Sequence, residues 1–218
     1  MTQGVIDGRR ARGDESRRIV LAEAIDIASI EGLDGLSIGR LAEAAGQSKS
    51  GVATLFGSKE SLQLATVAAA RARFTSTVIE SARAATPRGL SRVVALVAAW
   101  LDYSRGRVFT GGCFFAAASV EFDSKPGPVR DAVTDALDTW ETYLAISLGY
   151  ARPEVPGLGD PAQLAFEITA LLDAANTRSL LRDTDEPYAR AAAAVRDRLR
   201  ALGADDAVLT PLDERATP

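Results

Sequence analysis

Lys49 and Lys59 each follow a serine, Ser48 and Ser58, that can cap a new helix. Ser50, Gly51 and Thr54 lie between the two lysines. A helix start presents unbonded backbone N–H groups and the positive end of the helix dipole, and a lysine there adds a full charge. The chemistry this arrangement suits is phosphate binding, as when a short helix is laid across a phosphate backbone. Base reading is less well served. The middle of that helix is Ala53, Thr54 and Leu55, and of these only Thr54 can touch a thymine methyl or hydrogen-bond a base edge.

Other chemistries are excluded by what is missing. The chain has no histidine and one cysteine, Cys113. Ser-His-Asp and Cys-His arrangements, histidine-bearing zinc or haem sites and a disulfide within the chain are therefore ruled out. No GxGxxG or GxxxxGK[ST] cradle occurs, so no cofactor is expected and an enzyme is disfavoured. Cys113, between Gly112 and Phe114, reads as a small buried apolar residue. The net charge is −4, so any nucleic-acid affinity must come from a local patch. The run "VVALVAAWL" falls well short of the ~18 apolar residues of a membrane span. The N-terminus "MTQGVIDGRRARGDE" lacks the apolar stretch of a secretory signal, so the expected location is cytoplasmic, away from membranes.

The elements that must position these residues read as helices throughout. Apolar residues recur at i, i+3 and i+4, and no segment alternates with period two. A basic arm holding Arg9, Arg10, Arg12, Arg17 and Arg18 leads into a helix from about Ser16 to Glu31, with Gly32 and Leu33 placed for a Schellman stop. Ser37 caps a second helix, with Leu36 and Leu41 spaced as a hydrophobic staple, and Gly46 ends it. A third runs from Ser48 to Phe56, and a long fourth from Ser58 towards Ala85. Beyond Pro87 lie "LSRVVALVAAWLDYSRG", "GGCFFAAASVEFD", a helix opened by Pro128, and two more at about Pro161 to Arg182 and Glu186 to Leu202.

The pair of short helices from Ser37 to Phe56 is the unit that places one helix in a major groove, and equally that of a structural helical hairpin. The wider stretch Ile19 to Val67 resembles the N-terminal domain of TetR-family transcriptional regulators. The matching pieces are Glu31-Gly32, Ser37, Leu41-Ala42, Ala45-Gly46, Ser48-Lys49, Phe56 and Ser58-Lys59-Glu60 with Leu62. The resemblance implies an all-α chain of about nine helices. It would comprise an N-terminal three-helix helix-turn-helix domain over residues 1–60 and a ligand-binding and dimerisation bundle over 61–202, with 203–218 a loose tail. It implies that Ser48, Lys49, Ser50, Gly51 and Thr54 face DNA, that Ser37 and Lys59 reach phosphates, and that the arm with Arg17 and Arg18 follows the backbone or enters the minor groove. The chain departs from the family pattern at Ala53 and Leu55, where aromatic or histidine side chains are usual.

In the second half the aromatic residues Trp100, Tyr103, Phe114, Phe115, Phe122, Trp140 and Tyr143 concentrate, with Asn176 as a polar companion. They read as core, and as a set they fit a cavity for a small apolar or aromatic ligand. Glu121 and Asp123 are further polar residues near it. Leu164, Ile168, Leu171, Leu172 and Ala175 form one stripe, and Tyr188, Ala192, Val195 and Leu199 another. In the family such helices pair between two subunits, which implies a homodimer on a two-fold operator in double-stranded DNA. The reading is a ligand-responsive repressor. The competing one is a small-molecule-binding dimer whose DNA-binding domain has degenerated.

Overall fold

The computed structural model describes residues 3–217, with side chains from residue 13 onwards. The described residues form helices α1 (Gln3–Glu31), α2 (Ile38–Ala44), α3 (Lys49–Phe56), α4 (Lys59–Phe74), α5 (Ser81–Ala85), α6 (Leu90–Arg105), α7 (Phe114–Phe122), α8 (Pro128–Tyr150), α9 (Pro161–Arg182), α10 (Glu186–Ala201) and α11 (Asp206–Arg215). A π-helical turn, Thr75–Glu80, joins α4 to α5, so the long fourth helix expected from the sequence is continuous to Ala85. α1 starts well before Ser16, because the arginine-rich arm carries no proline and continues the helix.

The chain divides into two compact units, residues 1–72 with 109–133, and residues 73–108 with 134–218. The expected boundary near residue 60 is thereby corrected: α4 belongs in part to the first unit, and so does the segment around α7. The physical cause is the aromatic run at Phe109, Phe114 and Phe115, whose rings meet tilted and edge-on at 5.9 and 5.2 Å between centroids. These side chains are buried in the first unit, where α7 packs on α1. Gly111 seals the contact by donating its N–H to Ser29 Oγ at 2.9 Å.

In the second unit α6 is the central helix. Leu90, Val93, Val94, Leu96, Val97, Trp100, Leu101 and Tyr103 are all buried on it. α9 and α10 pack on each other, and α10 and α11 pack against α6. Phe74, Tyr103 and Trp140 meet edge to face at 5.3 and 5.4 Å. The reading of 203–218 as a loose tail is corrected by α11. Asp205 caps it, Leu209 and Leu212 are fully buried, and Arg215 pairs with Asp102 at 2.5 Å. Pro211 inside α11 leaves the Ala207 carbonyl without its backbone donor, and the Thr210 hydroxyl supplies one at 3.1 Å.

Candidate nucleic-acid interface

α2 and α3 are built by local capping. Ser37 is extended and its side chain accepts from Arg40 N–H; Ser48 is extended and accepts from Gly51 N–H. α2 ends in a full Schellman motif: Gly46 N–H donates to Glu43 O, Gln47 N–H to Ala42 O, and Gly46 takes the positive φ of 61° that this stop requires. Leu36, Leu41, Val52 and Phe56 are buried and fix the angle between the two helices. Ser58 caps α4 by accepting from Ser61 N–H at 3.0 Å.

This frame leaves Ser37, Ser48, Lys49, Ser50, Thr54 and Lys59 exposed, with Gly51 half-buried at the start of α3. Ser48 and Ser50 hydroxyls lie 3.3 Å apart, and Thr54 donates its hydroxyl to Ser50 O at 2.8 Å, which points its methyl and lone pairs outward. Lys49 has no acidic partner among the described residues and crosses over Gly39, so its charge is available to an incoming anion. Lys59 is half-exposed and donates to the Asp34 carbonyl at 2.7 Å, keeping its remaining N–H groups for another acceptor. Ala53 and Leu55 are half-buried, in line with their poverty as base readers.

Arg17 is used otherwise than expected. Its guanidinium donates to the Leu55 carbonyl at 2.7 Å and lies 4.7 Å from the Phe56 ring centroid. It closes the C-terminal end of α3, where carbonyls lack helix partners, and so fixes the presentation of α3 from behind. Arg18 is exposed and forks onto Glu15 at 2.6 and 2.9 Å. The side chains of Arg9, Arg10 and Arg12 lie outside the described residues.

The sequence reading missed the clamp behind this surface. α1 ends on Gly32, φ 79°, with a single bond from Gly32 N–H to Ala28 O. The next N–H, which a Schellman stop would return to the helix, goes to Glu121 Oε2 at 2.7 Å instead, and Asp34 N–H goes to Glu121 Oε1 at 2.8 Å. Asp34 in turn accepts from Lys125 Nζ at 2.8 Å and Gln63 Nε2 at 3.0 Å. The Lys125 ammonium, followed by Gln63 and Lys59, holds the Asp34 carboxyl below its ordinary range. Glu121, noted in the sequence only as a polar residue near an expected pocket, is therefore a positioning residue for the α1–α2 turn.

The expected pocket residues separate. Phe114, Phe115 and Phe122 are core of the first unit, and Lys125 Nζ lies 5.1 Å from the Phe122 ring centroid. Trp100, Tyr103, Trp140, Tyr143 and Asn176 belong to the second unit. Asn176 is buried and accepts from Ser104 Oγ at 2.9 Å. Trp140 Nε1 is buried without an acceptor among the described residues.

The expected dimer stripes are corrected. Leu164, Ile168, Leu172, Ala175, Tyr188, Ala192, Val195 and Leu199 are all buried within one chain, and Leu171 is half-buried. They face the other helices of their own unit. The uncovered apolar face of α9 is a different stripe, Phe166 at 58% exposure, Leu180 at 40% and Leu181 at 81%. Asp173, in the same helix, is pushed up to about 6 by burial and, less, by Glu141.

No helix among the described residues is long and apolar enough to cross a membrane. Residues 89–195 match the family model for the tetracyclin repressor-like C-terminal domain. No curated protein matches the chain. A TetR transcriptional regulator from Chloroflexus aurantiacus superimposes with a TM-score of 0.74 at 22% identity, over 94% of this chain and 98% of that one. A TetR-family regulator from Agrobacterium tumefaciens gives 0.74 at 17% identity, over 88% and 100%. AibR, solved with isovaleryl coenzyme A and operator DNA, gives 0.60 at 17% identity, over 74% and 86%. At these identities the structures establish a shared fold. With the helix-turn-helix frame of α2 and α3, the C-terminal domain match over residues 89–195 and this shared fold support a TetR-family transcriptional regulator.

Proposed function

We propose that the chain is a homodimeric operator-binding repressor released by a small molecule. The observation that carries the reading is the exposed start of α3, where Lys49, with no acidic partner among the described residues, stands beside the Ser48 cap. Backbone phosphate contacts from Ser37, Lys49, Lys59 and the helix starts supply most of the affinity, and Thr54 the main direct base contact. The dimer forms through the uncovered stripe of α9, because an apolar row of this length on a surface helix favours burial against a second copy. The ligand enters the second unit, where Phe74, Tyr103 and Trp140 form an aromatic cluster. It acts by binding one state of the dimer better than the other, with α4 the continuous helix that runs from one unit into the next. The fold-level likeness to AibR, solved with both an acyl-coenzyme A and operator DNA, supports a regulator that binds both kinds of partner.

Half-buried Ala53 and Leu55 favour a second reading, a ligand-binding dimer that has lost DNA affinity. Lys49→Ala separates the two. In the repressor it lowers affinity for duplex DNA about equally across sequences and reduces the slope of log K against log salt by about 1. Thermal stability and dimerisation stay unchanged. The same affinity and slope as the parent protein would remove Lys49 from the interface.

A further inference from the structure

Three arginines converge on one cavity of about 440 Å³ in the second unit. Arg83 comes from α5, Arg88 from the loop before α6 and Arg92 from α6, and α8 completes the lining with Tyr143, Ser147 and Tyr150. No carboxylate lines the cavity, and none of the three arginines has an ion pair within 4.0 Å among the described residues. Glu154, whose carboxylate lies beside the lining residue Gly89, accepts the Leu90 N–H through Oε1 at 3.0 Å. In a chain of net charge −4 this is a local cationic cluster with no ion pair to its arginines among the described residues.

The cluster is built rather than incidental. Arg92 is 9% exposed, and its guanidinium is held by Thr86 Oγ1 at 3.2 Å, Arg83 O at 3.2 Å, the Thr86 carbonyl and Tyr143 OH at 3.4 Å. Those acceptors are all neutral, so its charge is fixed in place and left unneutralised. Arg88 donates to Tyr150 OH at 3.3 Å and lies 4.8 Å from that ring centroid. Both tyrosine hydroxyls accept from arginine, which leaves each O–H free to donate. A partly enclosed, charged site of this kind is destabilised by mutual repulsion and relieved by an anion that accepts from several donors. The rim is apolar: Ile146 is 53% and Tyr150 52% exposed.

We propose that this cavity binds a small organic anion, a carboxylate or phosphate carried on an apolar body. The acidic group sits among Arg83, Arg88 and the Tyr143 and Tyr150 hydroxyls, over the fixed charge of Arg92. The apolar body lies against Ile146 and the Tyr150 ring. The site does not depend on the operator reading, and its test uses no DNA.

The test is isothermal titration of the full chain with benzoate, phenyl phosphate, inorganic phosphate and neutral benzamide, at fixed ionic strength. Saturable binding of benzoate or phenyl phosphate is expected, with the better of the two identifying the acidic group. Benzamide binds at least about tenfold more weakly. Arg83→Gln with Arg88→Gln, both exposed positions, lowers affinity about tenfold or more while the melting temperature holds. Inorganic phosphate binding as well as phenyl phosphate would overturn the apolar part of the assignment. No saturable binding of either aromatic anion, equal binding of benzamide, or unchanged affinity in the double variant would overturn the site.

Discussion

Leu181→Glu is expected to turn the dimer into a monomer and to weaken operator binding by on the order of a hundredfold or more. Leu181 is the most exposed large apolar residue of the second unit, at 81%, and it shares a helical face with Phe166 about four turns earlier along α9. Buried at the centre of a two-fold contact, a carboxylate loses hydration and meets its own symmetry mate, a like charge at close range. The monomer retains only one α3, so the second half-site no longer adds to affinity. Because Leu181 touches little of its own chain, the monomer stays folded. Light scattering and anisotropy with duplex DNA read the two effects together. A Leu181→Glu protein that remains dimeric would take the α9 stripe out of the interface, and Phe166→Glu provides the independent check.

Gly111→Ala is expected to destabilise the protein by about 3 kcal/mol, among the larger effects of adding a single methyl group. A Cβ at that position would stand 2.0 Å from Ser29 O, 2.4 Å from Ser29 C and 2.8 Å from Ile30 N. All three are backbone atoms of α1, so no side chain can swing away; the loop must leave the helix and the Gly111–Ser29 bond must break. For a chain of this size the melting temperature falls by on the order of 10 °C. Operator affinity falls too, since Phe114, Phe115 and Glu121 follow on the same segment and Glu121 holds the turn before α2. Gly13→Ala is the matched control. A Cβ there meets nothing within 4 Å, and in a helix alanine is favoured over glycine by roughly 0.5–1 kcal/mol. Equal melting temperatures for the two variants would show that the α1–α7 contact is looser than described.

How much the sequence disclosed depended on how local the physics was. Ser37, Ser48 and Ser58 each cap a helix within three residues of themselves, and Gly46 closes α2 within four, so the frame of α2 and α3 could be read directly. The stripes on α9 and α10 were also real, but an amphipathic pattern tells which face is buried and not what buries it. Leu164, Ile168, Val195 and Leu199 are covered by their own chain, and Phe166 and Leu181 face outward on α9. Glu121 was beyond reach because its partners, Leu33 and Asp34, lie far away in the chain and the bond replaces a local one the sequence equally allowed. Arg17 shows the same limit. Its type and place fit a phosphate contact, and only the fold shows the Leu55 carbonyl within its reach. α11 was missed although the Asp205 cap and the Leu209–Leu212 spacing are local signals for a helix.

The central claim is that α3, presented by this frame, binds duplex DNA mainly through phosphates. The most direct measurement is fluorescence anisotropy of the purified dimer with duplex from upstream of its own gene, over a salt range of roughly 50 to 200 mM. The account predicts saturable binding that weakens steeply and linearly in log salt across that range. A folded dimer that binds no such duplex even at the lowest salt would contradict it.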